Sequence, residues 1–198
     1  VKLILASASP RRAEILRNAV FTFEVLPVHT DESLRENERA EDYVRRLAES
    51  KARAVGNVIN EAAFILGADT TVLVDGQILG KPLDAADAKR MLNLLSGKTH
   101  EVLTGLAIIR VPYGDRSVHV ESTRVTFLPL SDTDIQNYIA TSEPFDKAGA
   151  YGIQGIGGRF ISGIEGDYFN VMGLPVSKLW RMLRDMGWSD DASKSAHK

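Results

Sequence analysis

Hydrophobic and polar positions alternate along this chain in patterns that separate strands from helices. Short apolar runs at residues 3–6 and 64–66, with a further run at 72–74, predict buried strands, and 21–26 reads as another strand. Between them, Val44, Leu47, Ala48, Ala52 and Val55 recur at i, i+3 and i+4, so residues 40–55 predict a helix with one buried stripe. Ser9 is a candidate N-cap and Pro10 suits a first helical position, giving a helix over about 10–19. Asp75-Gly76 marks a tight hairpin that returns through 77–79. Asp84, with Asp87 three residues later, opens a helix over 85–95 that Gly97 ends. Residues 99–111, broken or bulged at Gly105, and residues 117–128 form a long antiparallel hairpin about the turn at 112–115. Ser131 and Asp134 cap a helix that runs to about Thr141. Residues 159–164 and 168–171 read as strands, Pro175 opens a last helix that ends near Met186-Gly187, and 189–198 reads as a disordered tail. Strand–helix alternation joined to long hairpins predicts an α/β fold with a mixed sheet.

Composition narrows the class. The 198 residues suffice for one sizeable domain or two small lobes with a shared core. Hydrophobic residues at 44% and charged residues at 25% fit a globular chain and exclude a disordered one. The chain has no cysteine, which excludes disulfides, thiolate zinc sites and a cysteine nucleophile. A net charge of −2 gives no global attraction to nucleic acid, so any basic site must be local. His29, His100, His119 and His197 do not stand at metal-ligand spacing. No apolar run nears membrane-spanning length and no signal-peptide pattern is present, so no membrane partner and a cytoplasmic location are expected.

Four stretches carry candidate chemistry. In Ser7-Ala8-Ser9-Pro10-Arg11-Arg12, a strand passes through a small polar turn into a helix, whose exposed N–H groups and positive dipole end attract anions. Arg11 and Arg12 sit where cations are ordinarily disfavoured, which suits a polyanion; as an isolated pair they read equally as surface charges. Asp31 and Glu32 follow a strand end, a place for metal or substrate carboxylates or for two solvated acids, and 34–41 reads as a mobile surface segment. Lys51 borders the buried stripe and either snorkels to water or points into a polar cleft, while Arg45, Arg46 and Arg53 read as outer-face charges. In Gly67-Ala68-Asp69-Thr70 the apolar run breaks at Asp69. A carboxylate there needs a partner or a solvated cleft, or it caps a turn through Thr71. Lys81, between Gly80 and Pro82, can reach a phosphate as a point charge. Finally, residues 143–158 hold five glycines, the opposed charges Asp146 and Lys147, and Gln154, whose amide both donates and accepts. Apolar residues between those glycines imply that the segment is packed.

In this order and spacing the chain resembles the Maf family of nucleotide pyrophosphatases over residues 2–187. The resembling motifs are Ser7-Ala8-Ser9-Pro10-Arg11-Arg12, Arg46-Leu47-Ala48 through Lys51-Ala52, Gly67-Ala68-Asp69-Thr70, Lys81-Pro82, Leu95-Ser96-Gly97 before His100, and Asp146-Lys147-Ala148-Gly149 through Tyr151-Gly152-Ile153-Gln154-Gly155. The resemblance implies a single domain over 1–188 with an inosine-triphosphate-pyrophosphatase-like fold: a long mixed sheet flanked by helices, two lobes and a central cleft. It implies hydrolysis of a nucleoside triphosphate to the monophosphate and pyrophosphate. The cofactor it implies is a divalent metal, Mg²⁺, with Mn²⁺ or Co²⁺ as alternatives. On this resemblance Asp69 is the proton acceptor, Arg12, Lys51 and Lys81 hold phosphates, and Glu32 with Asp69 holds the metal. Ser7, Ser9, Arg11, Thr70, Asp146, Lys147 and Gln154 contact or select the substrate. Arg11, Thr70 and Gln154 resemble the branch that acts on dTTP and UTP, with modified pyrimidine nucleotides such as 5-methyl-UTP or pseudo-UTP as further substrates. Two alternatives stand beside it: a nucleotide-binding regulator of cell division, since the family name records septum formation, and a pyrophosphatase for 7-methyl-GTP or damaged purine nucleotides. A homodimer is left open and a nucleic-acid partner is not expected.

Overall fold

The strand β1 (Lys2–Leu5) is apolar because it is covered on both faces; Leu3, Ile4 and Leu5 are buried. In the computed structural model, which describes residues 1–189, it belongs to a seven-stranded mixed sheet. The elements that follow are α1 (Pro10–Asn18), β2 (Glu24–Val25), α2 (Ala40–Gly56), β3 (Ala63–Val74) and β4 (Gln77–Leu79). Next come α3 (Ala85–Leu95), β5 (Thr99–Val111), β6 (Asp115–Phe127) and α4 (Asp132–Ala140). Three short 3-10 turns (Glu143–Asp146, Ala148–Ala150, Ile156–Phe160) precede β7 (Ile161–Glu165), α5 (Tyr168–Val171) and α6 (Val176–Asp185). The sheet order is β2-β1-β3-β5-β6-β7, with β4 paired to β3. No helix among the described residues is long and apolar enough to cross a membrane.

The described chain divides into two compact units, and β3, β5 and β6 contribute residues to both. The first holds residues 1–69, 104–121 and the segment from Gly173. Here β1 runs parallel to β2 and to β3, with Leu5 opposite Leu66. Small residues make one layer of its core: Ala6, Ala48, Ala52, Ala63 and Ala107 pack with Ile4, Val55 and Ile65. Gly67 and Gly105 belong to the same close fit. A Cβ on Gly67 would collide with the Ala48 carbonyl, and one on Gly105 with the Val44 carbonyl, so α2 can lie directly on the strands only because these positions lack side chains. Gly105 therefore marks a close approach in a continuous strand rather than the expected break.

The second unit holds residues 70–103 and 122–172. Its core gathers α3 and α4 side chains with aromatic residues, among them Phe127, Tyr138, Tyr151 and Phe160. Asp75 and Gly76, both at positive φ, make the hairpin turn between β3 and β4 that the sequence predicts. The Ser131–Asp134 capping box forms in full, and Asp84 accepts the Asp87 amide as expected.

Several boundaries differ from expectation. The strand expected over 21–26 shortens to Glu24–Val25, because Phe21 turns into the core with Trp180 and Trp188 instead of extending the edge. The two runs around Gly67 form one twelve-residue strand. Residues 156–160 make a 3-10 turn before β7, and 168–171 form a short helix capped by Asp167, which accepts the Phe169 and Asn170 amides. That cap overrides the β propensity of Tyr168, Phe169 and Val171. The expected tail, beyond Ser189 itself, lies outside the described residues.

Candidate active site

In the first unit, the turn after β1 places Ser7 and Arg12 side by side. The Ser9 side chain makes no capping bond, contrary to expectation; the Ser9 amide instead donates to Ser7 Oγ at 3.2 Å. Arg12 donates from Nη1 to Ser7 Oγ at 3.2 Å and from Nε to the Gly173 carbonyl at 2.8 Å. Its guanidinium is therefore held in one plane. Burial lowers its pKa, while the negative charges of Asp69 and Glu32 act to keep it cationic. Arg11, one position earlier, and Ser9 are half-buried.

Lys51 points inward and does not snorkel. Lys51, Asp69 and Arg12 are each only 8% exposed. Lys51 Nζ lies 2.6 Å from Asp69 Oδ1 and 2.7 Å from Glu32 Oε1, so one ammonium joins both carboxylates. The partner that Asp69 requires is thus Lys51. Burial raises the Asp69 pKa above the ordinary carboxylate value, with Lys51 and Arg12 opposing that rise. The carboxylate is correspondingly a stronger base than a solvated aspartate.

Glu32 is half-exposed on a coil segment, but α2 pins that segment down. The Tyr43 hydroxyl donates to the Glu32 carbonyl at 2.9 Å. Arg46 grips Glu38 through Nε at 2.6 Å and Nη2 at 2.7 Å, and Nη2 also donates to the Ser33 carbonyl at 3.0 Å. The Arg46 hydrogen bond holds the Glu38 carboxyl below its usual range. Arg46 is therefore an anchor and not the outer-face charge its spacing suggests, whereas Arg45 and Arg53 form exposed pairs with Asp42 and Glu49. Tyr43 carries no sequence signal for this function beyond lying about two turns before Lys51, and Arg46 carries only its place in the motif that runs on to Lys51.

The carboxylates of Glu32 and Asp69 converge on one cation, which is what a hard divalent ion would also require. Among the described residues no group of three or more His, Asp or Glu side chains could hold a metal. Two carboxylates plus waters and substrate oxygens match the way Mg²⁺ is held by nucleotide enzymes, so this donor set fits that ion.

The other expected residues belong to the second unit. Thr70 is half-buried directly after Asp69, and Lys81 is exposed beside Gly80, whose carbonyl accepts the Gly149 amide at 3.0 Å. Lys147 Nζ donates to Asp146 Oδ1 at 2.6 Å and to the Glu143 carbonyl at 2.8 Å. Gln154 is exposed in the glycine-rich segment. That segment is packed, as expected, but sequence reasoning missed the residue that organises it, Glu143. Its Oε1 accepts from the Tyr138 hydroxyl at 2.8 Å and the Gly157 amide at 3.1 Å, and its Oε2 accepts from the Ile156 amide at 2.9 Å.

His100, close after Leu95-Ser96-Gly97, is a core residue. Its Nε2 lies 2.8 Å from the Tyr151 hydroxyl, and its ring meets Phe127 and Tyr151 edge-on. Burial lowers its pKa from 6.5 to about 4. The folded state thus resists a proton that the unfolded chain accepts. Stability is retained above pH 6.5 and falls as pH drops towards 4, by about 3 kcal/mol over the window. Urea unfolding at pH 7 and pH 4.5 is expected to show that slope in the parent and a shallower one in His100→Gln; equal slopes would remove His100 as its source.

Comparison with known proteins places these residues in a wider set. A family model described as Maf-like protein matches residues 2–186. A protein named dTTP/UTP pyrophosphatase from Koribacter versatilis (strain Ellin345) is 51% identical over 185 residues, covering 93% of this chain and 94% of that one. One of the same name from Anaeromyxobacter sp. (strain Fw109-5) is 49% identical, covering 94% and 90%. A third, from Geobacillus sp. (strain WCH70), is 48% identical, covering 94% and 99%. Among solved structures, a nucleoside-triphosphatase / dITP/XTP pyrophosphatase from Mycobacterium abscessus gives a TM-score of 0.46 at 16% identity over 95% of this chain and 99% of that one.

Proposed function

Since the chain belongs to the Maf family, we propose that it hydrolyses dTTP and UTP to the monophosphate and pyrophosphate. The observation that carries the proposal is the buried Lys51–Asp69 pair beside the buried Arg12, with the half-exposed Glu32 on the same ammonium. A nucleotide sensor needs cations to hold phosphates; it does not need a buried carboxylate whose basicity burial has raised.

The mechanism follows from those side chains. Arg12, oriented by Ser7 and Gly173, offers a planar cation to phosphate oxygens, and Lys51 and Lys81 act as point charges. The backbone N–H groups at the start of α1 add to the anion-binding field. Asp69 takes the proton of the attacking water; the water oxygen bonds to the α-phosphorus as the bond to the bridging oxygen breaks and pyrophosphate leaves. Substrate phosphate draws the Lys51 ammonium, which leaves Asp69 more basic as the water approaches. A Mg²⁺ ion on Glu32 and Asp69 would neutralise phosphate charge and polarise the phosphoryl group. Arg11, Thr70 and Gln154 select the base, with Ser9, Asp146 and Lys147 contributing to substrate binding. Gln154 fits the pyrimidine O4/N3 edge because an amide presents both a donor and an acceptor. The enzyme so described acts on free nucleotides in the cytoplasm.

The test is turnover on dTTP, UTP, dCTP, purine nucleotides and 7-methyl-GTP with Mg²⁺, with pyrophosphate and phosphate measured separately. Pyrophosphate from dTTP and UTP, little from the others and none with chelator supports the proposal. Binding without product would favour the regulator. In the same panel Gln154→Ala is expected to lower the preference for dTTP over dCTP roughly tenfold, the worth of one hydrogen bond. A uniform loss on every nucleotide would remove Gln154 from base selection.

A further inference from the structure

The glycine-rich segment that carries Gln154 is held from three directions within its own unit. Tyr151 is buried, and its hydroxyl meets His100. The Gly152 amide donates to the Tyr138 hydroxyl at 3.1 Å. The Ile156 and Gly157 amides donate to the two oxygens of Glu143. Tyr138 and Glu143 are joined to each other, because the same hydroxyl donates to Glu143 Oε1 at 2.8 Å. Gln154 thus sits in the middle of a short arch whose amides before and after it end on one tyrosine–glutamate pair.

The glycines of this arch are explained by the pair. A Cβ on Gly155 would strike the Glu143 carboxylate, and one on Gly157 would lie 2.6 Å from the Tyr138 hydroxyl. A Cβ on Gly152 would lie 2.6 Å from Lys147 Cε. None of these three positions has a positive φ in the left-handed range. They are bare so that polar side chains can reach the backbone, and not so that the backbone can turn. The Glu143 carboxyl is only partly exposed; burial acts against its ionisation, and the two amides with the tyrosine hydroxyl outweigh it, so that its pKa falls below the usual value. It therefore holds the arch as a carboxylate, and charge-assisted bonds of this kind are the stronger sort.

We infer that Glu143 and Tyr138 are positioning residues for substrate selection: together they fix the arch that presents the Gln154 amide to the nucleobase. The inference rests on the assignment of Gln154 to base selection proposed above. Both residues bond the arch and each other rather than any group assigned above to the phosphates, so their loss is felt in KM and in the choice among nucleotides, with kcat on saturating dTTP little changed. A dipole such as an amide discriminates only if its donor and acceptor ends are held in a fixed order, and a loose arch would average them.

The experiment compares Glu143→Gln, Tyr138→Phe, Gln154→Ala and the Glu143→Gln/Gln154→Ala double variant with the parent. Amide hydrogen exchange at Gly152, Ile156 and Gly157 is read together with kcat and KM for dTTP and dCTP. Expected in Glu143→Gln are exchange at Ile156 and Gly157 faster by tenfold or more, a KM for dTTP raised about tenfold, and a loss of dTTP preference absent from the Gln154→Ala background. Tyr138→Phe keeps the ring packing against Phe160 and gives the same pattern centred on Gly152, so it serves if Glu143→Gln does not fold. Unchanged exchange overturns the inference, as does a fall in kcat at constant KM and constant preference, which would mark a merely structural role. Additive losses in the double variant also overturn it. Faster exchange with no change of preference in Gln154→Ala itself overturns the base-selection assignment and the inference that rests on it, and the exchange data identify that case.

Discussion

Asp69→Asn is expected to lower turnover on dTTP by about a hundredfold or more while the protein stays folded, the usual loss when a general base is removed. The substitution keeps the shape of the side chain and an oxygen that can accept from Lys51, but an amide cannot take the proton of the attacking water. Nor does it strand the buried ammonium, because Glu32 stays within 2.7 Å of Lys51 Nζ. A circular-dichroism melt close to that of the parent, combined with pyrophosphate release at least a hundredfold slower, would meet the expectation. Near-normal release would remove Asp69 as the base. The pH profile gives a second check. Burial raises the Asp69 pKa, so the carboxylate gains its proton and turnover falls as pH drops through a value above the ordinary aspartate range. That acid limb should be missing from the residual activity of the asparagine variant.

Gly67→Ala is expected to cost more than about 3 kcal/mol of stability, at or beyond the upper end for overpacking. The added methyl would collide with the Ala48 carbonyl and lie 2.8 Å from the Ala52 nitrogen. Both atoms are helix backbone, so the whole of α2 has to lift from β3, and no side chain can turn away instead. A loss of this size consumes much of the roughly 5 to 15 kcal/mol by which a domain is stable. Because α2 also carries Lys51, any folded remainder should lose activity as well. Gly163→Ala, where nothing lies within 4 Å of the added carbon, is the matched control. A urea midpoint for Gly67→Ala equal to that of the control would show that α2 yields without cost.

Local patterns were sufficient for most of the scaffold. The buried stripe on α2, the Asp75-Gly76 turn and the Ser131 capping box are each set by residues within a few positions of one another, and each stands where the pattern places it. Where long-range packing competes, local preference fails. Phe21 abandons an edge strand for two tryptophans from the end of the chain, and Asp167 converts an aromatic run into a helical turn.

The site divides in the same way. The order of its motifs is a property of the sequence, and it identifies the family and supplies the residues proposed above to hold and cleave a triphosphate. Tertiary structure alone decides their chemistry. Lys51 and Asp69 are eighteen positions apart, and only the seating of a helix on two bare glycines buries them together; that burial makes Asp69 basic. Arg46 reads as a surface charge until Glu38 folds back onto it. Glu143 reads as one more acid near a helix end until the glycines of the arch bring their amides to it. Hydrophobic spacing and turn chemistry act over a few residues and are written in the chain itself. A pKa, an ion pair or a held loop depends on which distant groups exclude water from the same small volume, and that is determined only once the chain has packed.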